Sequence, residues 1–323
     1  MTKVAALLAA VIVAAALTAC GDDGAEPGAP REATLVLDFQ PNAVHAGIYS
    51  ALHDGLYADR DLELTVREPS ASTDAPKLLE AGRTDLAIMD IHDLGIARER
   101  GFDVVGIAPI VQRPLAAVIA GDRAQVRTPA DLDGGDAGVT GLPSDEAVLD
   151  SVLESAGADP SAVDRVTIGF EAVPALAAGR LDAATAFWNA EGVALRRQGI
   201  PTREFRVDDY GAPRYPELVL VTTAETLESE PELVESARAA TTAGYEDVVA
   251  DPEVAIGDLL AEVESLDEDE QRAQLKRLIA ADAFSPPGEL DEKVLEEWSA
   301  WDVEHGILEE PVDVGEAFAL EES

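Results

Sequence analysis

Two rhythms of apolar and polar positions alternate along this chain. From residue 33 onward, short runs of Val, Ile, Leu and Ala are followed by stretches in which apolar residues recur every three or four positions. The first rhythm belongs to strands, the second to helices packed by one side, and their alternation is the pattern of parallel sheets covered by helices. Strands are expected over residues 34–38, 62–66, 86–89 and 104–110, with helices over 44–57, 73–82 and 92–100 between them. An apolar run over 115–120 precedes a Gly- and Asp-rich change of character from Gly121 to Gly135, where the chain is expected to leave a first lobe. A second unit follows, with strands over 137–139, 166–168 and 183–187, and helices starting near Ser144 and spanning 173–179 and 191–198. The β-forming run 218–222 reads as the return into the first lobe. Everything after Ala224 reads as helical and acidic, with Pro231, Pro252 and Pro286 at helix starts or breaks.

The expected fold class is therefore α/β, with two lobes, a hinge and an interlobe cleft. Residues 33–120 and 218–323 are expected to form lobe 1 and residues 121–217 lobe 2. Such an architecture closes on a ligand by hinge motion.

The first residues change where this domain is expected to work. Lys3 is followed by an apolar run over 4–17 and then by Leu17-Thr18-Ala19-Cys20. That run is too short to span a bilayer but has the length of a secretory signal. Leu-x-Ala-Cys before Gly21 resembles the bacterial lipobox, in which the peptide is cut before a cysteine that is then acylated. Cys20 is the single cysteine, so the mature domain has no disulfide and no thiol chemistry. Residues 1–19 are expected to be the signal and 20–32 a flexible tether. The protein is then exported and lipid-anchored to the outer face of the bacterial cell membrane.

Charge narrows the partners. With 64 Asp and Glu against 23 Lys and Arg, the formal charge is −41, which would repel nucleic acid and anionic membrane surfaces. The 47% apolar fraction over 323 residues is that of a folded chain with a sizeable core.

Candidate chemistry gathers just past the expected strands, where α/β proteins place ligands. After the first strand come Asp38, Phe39, Gln40, Pro41 and Asn42, with His45 and Gly47 beyond; a turn and helix cap account for Pro41 and Asn42 but not for the whole group. After the third strand stand Asp90, which also reads as an N-cap, and His92, which reads equally as a structural histidine. After the fourth, Arg113 could bind an anion, hold the lobes together or pair with one of many carboxylates. Gly141-Leu142-Pro143-Ser144-Asp145-Glu146 is a strand-to-helix turn in which Ser144 and Glu146 read either as ligand contacts or as capping; Asp145 and Glu146 there oppose an anionic ligand. Phe187-Trp188-Asn189-Ala190-Glu191-Gly192 offers an indole on which a planar ligand can stack, an amide, and a carboxylate for its N–H donors. Stacking adds about 0.5–1.5 kcal/mol beyond area burial. A hydrogen bond to a charged group adds about 1.5–3 kcal/mol, so Glu191 is expected to dominate discrimination over Trp188. Tyr210, in the loop Asp209-Tyr210-Gly211-Ala212-Pro213, offers another aromatic wall.

Taken together, these segments resemble the bacterial binding proteins for thiamin-pyrimidine precursors, which are related to the yeast pyrimidine synthase and to sulfonate and nitrate binders. The resemblance rests on Leu37-Asp38-Phe39-Gln40-Pro41-Asn42 with His45 and Gly47, Val111-Gln112-Arg113-Pro114, Pro143-Ser144-Asp145-Glu146-Ala147, Phe187-Trp188-Asn189-x-Glu191-Gly192, and Tyr210-Gly211-x-Pro213-x-Tyr215-x-Glu217-Leu218-Val219. It covers roughly residues 34–264, in the family's order. It implies a type II periplasmic-binding fold, an importer permease and its ATPase as partners, and a formylaminopyrimidine or hydroxymethylpyrimidine as ligand. Where the family has Trp-Thr after the first aspartate, this chain has Phe39-Gln40, which weakens the stacking wall and adds an amide. The synthase relatives imply an alternative in which a histidine near His92 and a lysine-bound pyridoxal phosphate are consumed. Only Lys3, Lys77, Lys276 and Lys293 are present, and none adjoins His92 in sequence. A sulfonate or nitrate would want cleft arginines, for which Arg113 is the one good candidate. The expectation is thus a monomeric binder that makes and breaks no bond. Asp38 and Glu191 grip an aminopyrimidine, Phe39 and Trp188 stack on it, and Asn42, His45, His92, Arg113, Ser144, Glu146, Asn189 and Tyr210 supply further contacts. No catalytic residue, metal or cofactor is assigned.

Overall fold

The structure is a computed structural model and describes residues 30–69, 75–121 and 126–320. The expected signal, Cys20 and most of the tether lie outside the described residues. Ten strands follow in chain order: β1 (Arg31–Val36), β2 (Leu62–Arg67), β3 (Leu86–Asp90), β4 (Val104–Val111), β5 (Ala116–Gly121), β6 (Asp136–Val139), β7 (Asp164–Thr167), β8 (Ala183–Phe187), β9 (Thr202–Arg206) and β10 (Leu218–Thr223). The helices that cover them are α1 (Ala46–His53), α2 (Ala75–Glu80), α3 (Ile91–Glu99), α4 (Pro143–Ser155), α5 (Ala172–Ala177), α6 (Glu191–Arg197), α7 (Ala224–Ser229), α8 (Pro231–Ala250), α9 (Pro252–Glu262), α10 (Glu268–Ala280), α11 (Glu292–Glu304) and α12 (Val314–Ala317).

The strands form two five-stranded sheets, ordered β2-β1-β3-β10-β4 and β7-β6-β8-β5-β9. The two share one plan. In the first, β1 runs parallel to β2 and β3, and β10 lies antiparallel between β3 and β4. In the second, β6 runs parallel to β7 and β8, and β5 lies antiparallel between β8 and β9. Each sheet's reversed strand is the one that arrives from the other lobe. The run over 115–120, expected to end the first lobe, is β5 and belongs to the second sheet. Its apolar composition gives burial but carries no information about which sheet receives it. The chain leaves the first sheet after Val111, before Gly121. Strand β9 was not expected: of Thr202-Arg203-Glu204-Phe205-Arg206 only Phe205 is buried, and the strand pairs with β5 alone at the sheet's edge.

Both crossing strands are covered on both faces. Along β5, Ala117 and Ile119 join one apolar cluster, while Ala116, Val118 and Ala120 join the other. Leu218 and Leu220 of β10 separate from Val219 and Val221 in the same way, by the two-residue period of a strand. Helices α1 and α8 approach closely at paired glycines. A Cβ on Gly244 would lie 2.0 Å from the Gly47 carbonyl oxygen, and one on Gly47 would meet the Tyr245 ring at 2.6 Å. Gly47 therefore serves helix packing rather than a ligand, and Tyr245 uses its hydroxyl to donate to the Val44 carbonyl at 2.8 Å.

Candidate functional site

Parallel strands β1, β3, β6 and β8 each end at the gap between the sheets, and the segments that follow them enclose a cavity of about 410 Å³. That volume suits a small organic ligand. Its walls draw on both lobes, with Asp38, Phe39, Asn42, Asp90 and Asp93 from the first and Ser144, Asp145, Phe170, Phe187, Asn189 and Glu191 from the second.

Asp38 and its neighbours are held by a turn. Asn42 accepts from the Val44 amide at 2.9 Å and donates to the Gln40 carbonyl at 3.0 Å, which starts the turn before α1. His45 is fully buried. Its Nδ1 accepts from the Asn42 amide at 3.2 Å, so its Nε2 carries the proton and donates to Asp38 Oδ1 at 2.8 Å. His45 thus does not line the cavity as expected; it orients the carboxylate that does.

The turn that follows β8 decides which aromatic ring meets the cleft. Phe187 lines the cavity. Trp188, the first residue of that turn, is fully buried and does not line the cavity. Its indole N–H donates to the Pro114 carbonyl at 3.1 Å, and the Arg206 guanidinium lies 4.0 Å from its ring centroid. Trp188 is therefore not the stacking wall that the sequence suggested, because burying it gives its N–H a partner and its face a cation. The aromatic surface is instead Phe39, Phe170 and Phe187, and Phe39 meets Phe170 across the cleft edge-to-face with centroids 4.7 Å apart.

Glu191 begins α6 and lines the cavity, accepting from the Phe187 amide at 3.0 Å; burial raises its pKa, and Asp145 nearby raises it further. Asn189 borders the same cavity, is fully buried, and has no hydrogen-bond partner at either Oδ1 or Nδ2. Leaving such a group unpaired costs about 1–3 kcal/mol. A carboxamide kept there at that cost points to a ligand.

Four further residues of the expected set do not line the cavity. Buried His92 is placed between Asp302, 2.8 Å from its Nδ1, and the Tyr215 hydroxyl, 3.0 Å from its Nε2. Burial alone would lower its pKa, but the charge and hydrogen bond of Asp302, with Asp90 and Asp93, push it up to about 9. Both nitrogens are occupied, so it is a core histidine. Arg113 pairs with Asp208 and donates to the Ala281 carbonyl at 2.6 Å, tying the crossing to the end of α10. Glu146 is exposed on α4, on the turn's outer side. Tyr210 packs edge-on against Phe205 with centroids 6.1 Å apart.

In their place the structure adds Asp90, Asp93 and Asp145. Asp90 caps α3 by accepting from the His92 amide at 2.8 Å, and burial raises its pKa well above the usual carboxylate range. Burial, then the charge of Asp145, pushes Asp93 up to about 6. Ser144 donates to Asp93 at 3.3 Å, a bond from one lobe to the other. Asp145 also accepts from the Thr140 amide at 2.9 Å and from its hydroxyl, and burial raises its pKa. The N-cap signal had already explained Asp90 and so concealed its second position on the cleft, whereas Asp145 was expected only to oppose an anion there. Among the described residues, the bases lining the cavity are Lys77 and Arg100, against Asp38, Asp90, Asp93, Asp145 and Glu191.

The chain resembles known proteins over nearly its full length. It is 30% identical to a formylaminopyrimidine-binding protein of Halalkalibacterium halodurans, covering 98% of each chain. It is 25% identical to a 4-amino-5-hydroxymethyl-2-methylpyrimidine phosphate synthase of Legionella pneumophila, over 69% of this chain and 71% of the other. In fold it is similar to the alkanesulfonate-binding protein SsuA of Xanthomonas axonopodis bound to MOPS, with a TM-score of 0.73, 19% identity, and coverage of 92% of this chain and 100% of the other. The expected two-lobed periplasmic-binding fold is thus the one observed. Residues 42–255 match the family described as NMT1/THI5 like, and with the 30% identity across the whole chain this establishes that the protein belongs to that family.

Proposed function

We propose that this chain is the extracytoplasmic binding component of an ATP-driven importer and that it captures a thiamin-pyrimidine precursor, an aminopyrimidine, between its lobes. The observation that carries the reading is the cavity itself: carboxylates, phenyl rings and an unpartnered buried amide from both lobes converge on one space of about 410 Å³. A flat heterocycle rich in N–H donors matches that lining. Phe39, Phe170 and Phe187 flank the ring, Glu191 and Asp38 accept from its nitrogens, and Asn189 supplies one donor and one acceptor to its edge. The similarity to a formylaminopyrimidine-binding protein supports the ligand class.

A sulfonate fits less well, because its negative charge would face Asp38, Asp90, Asp93, Asp145 and Glu191. The synthase reading needs a histidine free to meet substrate, and His92 has Asp302 and Tyr215 on its two nitrogens. Binding shifts an open–closed equilibrium, and the closed form docks on the permease. A lipid on Cys20 holds the exported monomer near that permease. Among the described residues no helix is long and apolar enough to cross a membrane. Thermal-shift screening with aminopyrimidines, alkanesulfonates and nitrate tests the reading: aminopyrimidines are expected to raise the melting temperature, and stabilisation by sulfonates alone would overturn it.

A further inference from the structure

We propose that Phe39 and Phe170 form a latch between the lobes: the two rings meet only when the cleft is closed, and breaking their contact is the step that releases the bound ligand. This rests on the reading of the cleft as the aminopyrimidine site and goes beyond it, from what the cavity recognises to what retains it.

The two rings are presented by fixed turns on opposite lobes. Phe39 follows β1 and stands beside Asp38, in the turn that Asn42 and His45 tie down. The Gln271 side chain of α10 also accepts from the Ala43 amide at 2.8 Å. Phe170 follows β7, the edge strand that pairs with β6 alone. Its turn is closed by the Glu171 amide, which donates to the Ile168 carbonyl at 3.2 Å, and Gly169 takes a left-handed φ of +54° there. With each turn held by its own lobe, the distance between the rings is set by how far apart the lobes stand.

Contact between the rings leaves no place for a ligand inside the pair. Their centroids are 4.7 Å apart, with the planes at 73°. A flat heterocycle sandwiched by two rings needs about 3.5 Å on each face, or about 7 Å in all. The ligand therefore lies against the pair rather than within it, and the pair spans the cleft from one lobe to the other. At 48% exposure Phe170 is the most exposed Phe, Tyr or Trp among the described residues, and it also lines the cavity, so it stands between the ligand and solvent. Opening the lobes bares the face of each ring that the other covers, so apolar burial and edge-to-face attraction both favour the closed arrangement. The hydrogen bond that crosses the cavity, from Ser144 to Asp93, is long at 3.3 Å. The ion pairs that also join the lobes, Arg277 to Glu204 at 2.8 Å and Arg197 to Asp267 at 2.9 Å, involve no residue of the cavity wall.

The test is a double-mutant cycle on binding kinetics, read by stopped flow on the full chain at neutral pH. The probes are two 4-amino-2-methylpyrimidines whose 5-substituent is formylaminomethyl or hydroxymethyl. Phe170→Ala is expected to raise the dissociation rate about tenfold for both compounds and to leave the association rate within about threefold, because the ligand enters the open form before the rings meet. In a Phe39→Ala background the same Phe170→Ala step should raise the dissociation rate by about twofold or less, since its partner is already gone. Phe39→Leu provides a second background that keeps the turn packed, with the same outcome expected. An equal effect of Phe170→Ala with and without Phe39, no effect on the dissociation rate, or an effect confined to one compound would overturn the latch while leaving the aminopyrimidine reading intact. Failure of both compounds to bind the unmodified chain would overturn both.

Discussion

Replacing Trp188 by Phe separates a structural indole from a ligand-stacking one. The side chain is fully buried, its N–H donates to the Pro114 carbonyl at 3.1 Å, and Arg206 sits 4.0 Å from the ring centroid. Trp188→Phe removes the hydrogen bond and leaves a buried carbonyl unpaired, which costs about 1–3 kcal/mol. Losing the larger ring weakens the cation contact by about 0.5–1 kcal/mol. The sum is about 1.5–4 kcal/mol, equivalent to a fall in melting temperature on the order of 2–6 °C for a chain of this size. Differential scanning calorimetry measures the fall, and isothermal titration with an aminopyrimidine measures binding on the same sample. Because Trp188 lies behind the cavity wall, the dissociation constant is expected to stay within about threefold of the parent. A loss of binding by about tenfold or more with an unchanged melting temperature would refute the reasoning and return the indole to the cleft.

Asn189→Leu should act in the opposite sense on the two properties. Removing an unpartnered buried amide keeps or raises the stability of the ligand-free protein by up to about 1–3 kcal/mol, while aminopyrimidine affinity falls; denaturant titration beside calorimetry reads both, and retained affinity would exclude the amide from recognition. Stability should also depend on pH in a defined direction. Burial pushes Glu217 up to about 8 and Asp93 up to about 6, and His92 stands at about 9. Each group then binds more protons folded than unfolded within its window, so stability falls as pH rises from about 4 to about 9. The ligand-free protein should melt at a higher temperature at pH 5.5 than at pH 8.5. Glu217→Gln, which keeps an acceptor for the Leu115 amide, should flatten the part of that slope that lies between pH 5 and 8. A steeper or reversed slope would contradict the assignment.

Much of the fold was legible because its strands announce themselves as apolar runs: β8 lies where residues 183–187 were expected, and β10 extends the expected 218–222 by one residue. What patterning could not supply was partnership. The run that became β5 looked like the end of the first lobe because nothing in Ala116–Gly121 says which sheet it joins. Strand β9 was hidden by its charged side chains, which an edge position tolerates. In the site, position after a strand drew attention to Asp38, Asn189 and Glu191, which the structure places along the cavity, since loops at strand ends reach the cleft. Residue type alone misled at Trp188, which the turn after β8 packs into the core while Phe187, the last residue of the strand, lines the cavity. Arg113 and His92 were singled out as reactive or binding types, but each finds its partners at long sequence separation, in Asp208 and Ala281 and in Asp302 and Tyr215. Such pairings are set by tertiary packing and leave no local signature.

The most direct measurement is a crystal structure of the chain grown with a 4-amino-2-methylpyrimidine. The ring should lie between Phe39, Phe170 and Phe187, with Glu191 and Asn189 within hydrogen-bond distance of its nitrogens. Density for the compound anywhere outside this cleft, or a cleft that admits only an anion held by Lys77 and Arg100, would contradict the assignment of the chain as an aminopyrimidine-binding protein.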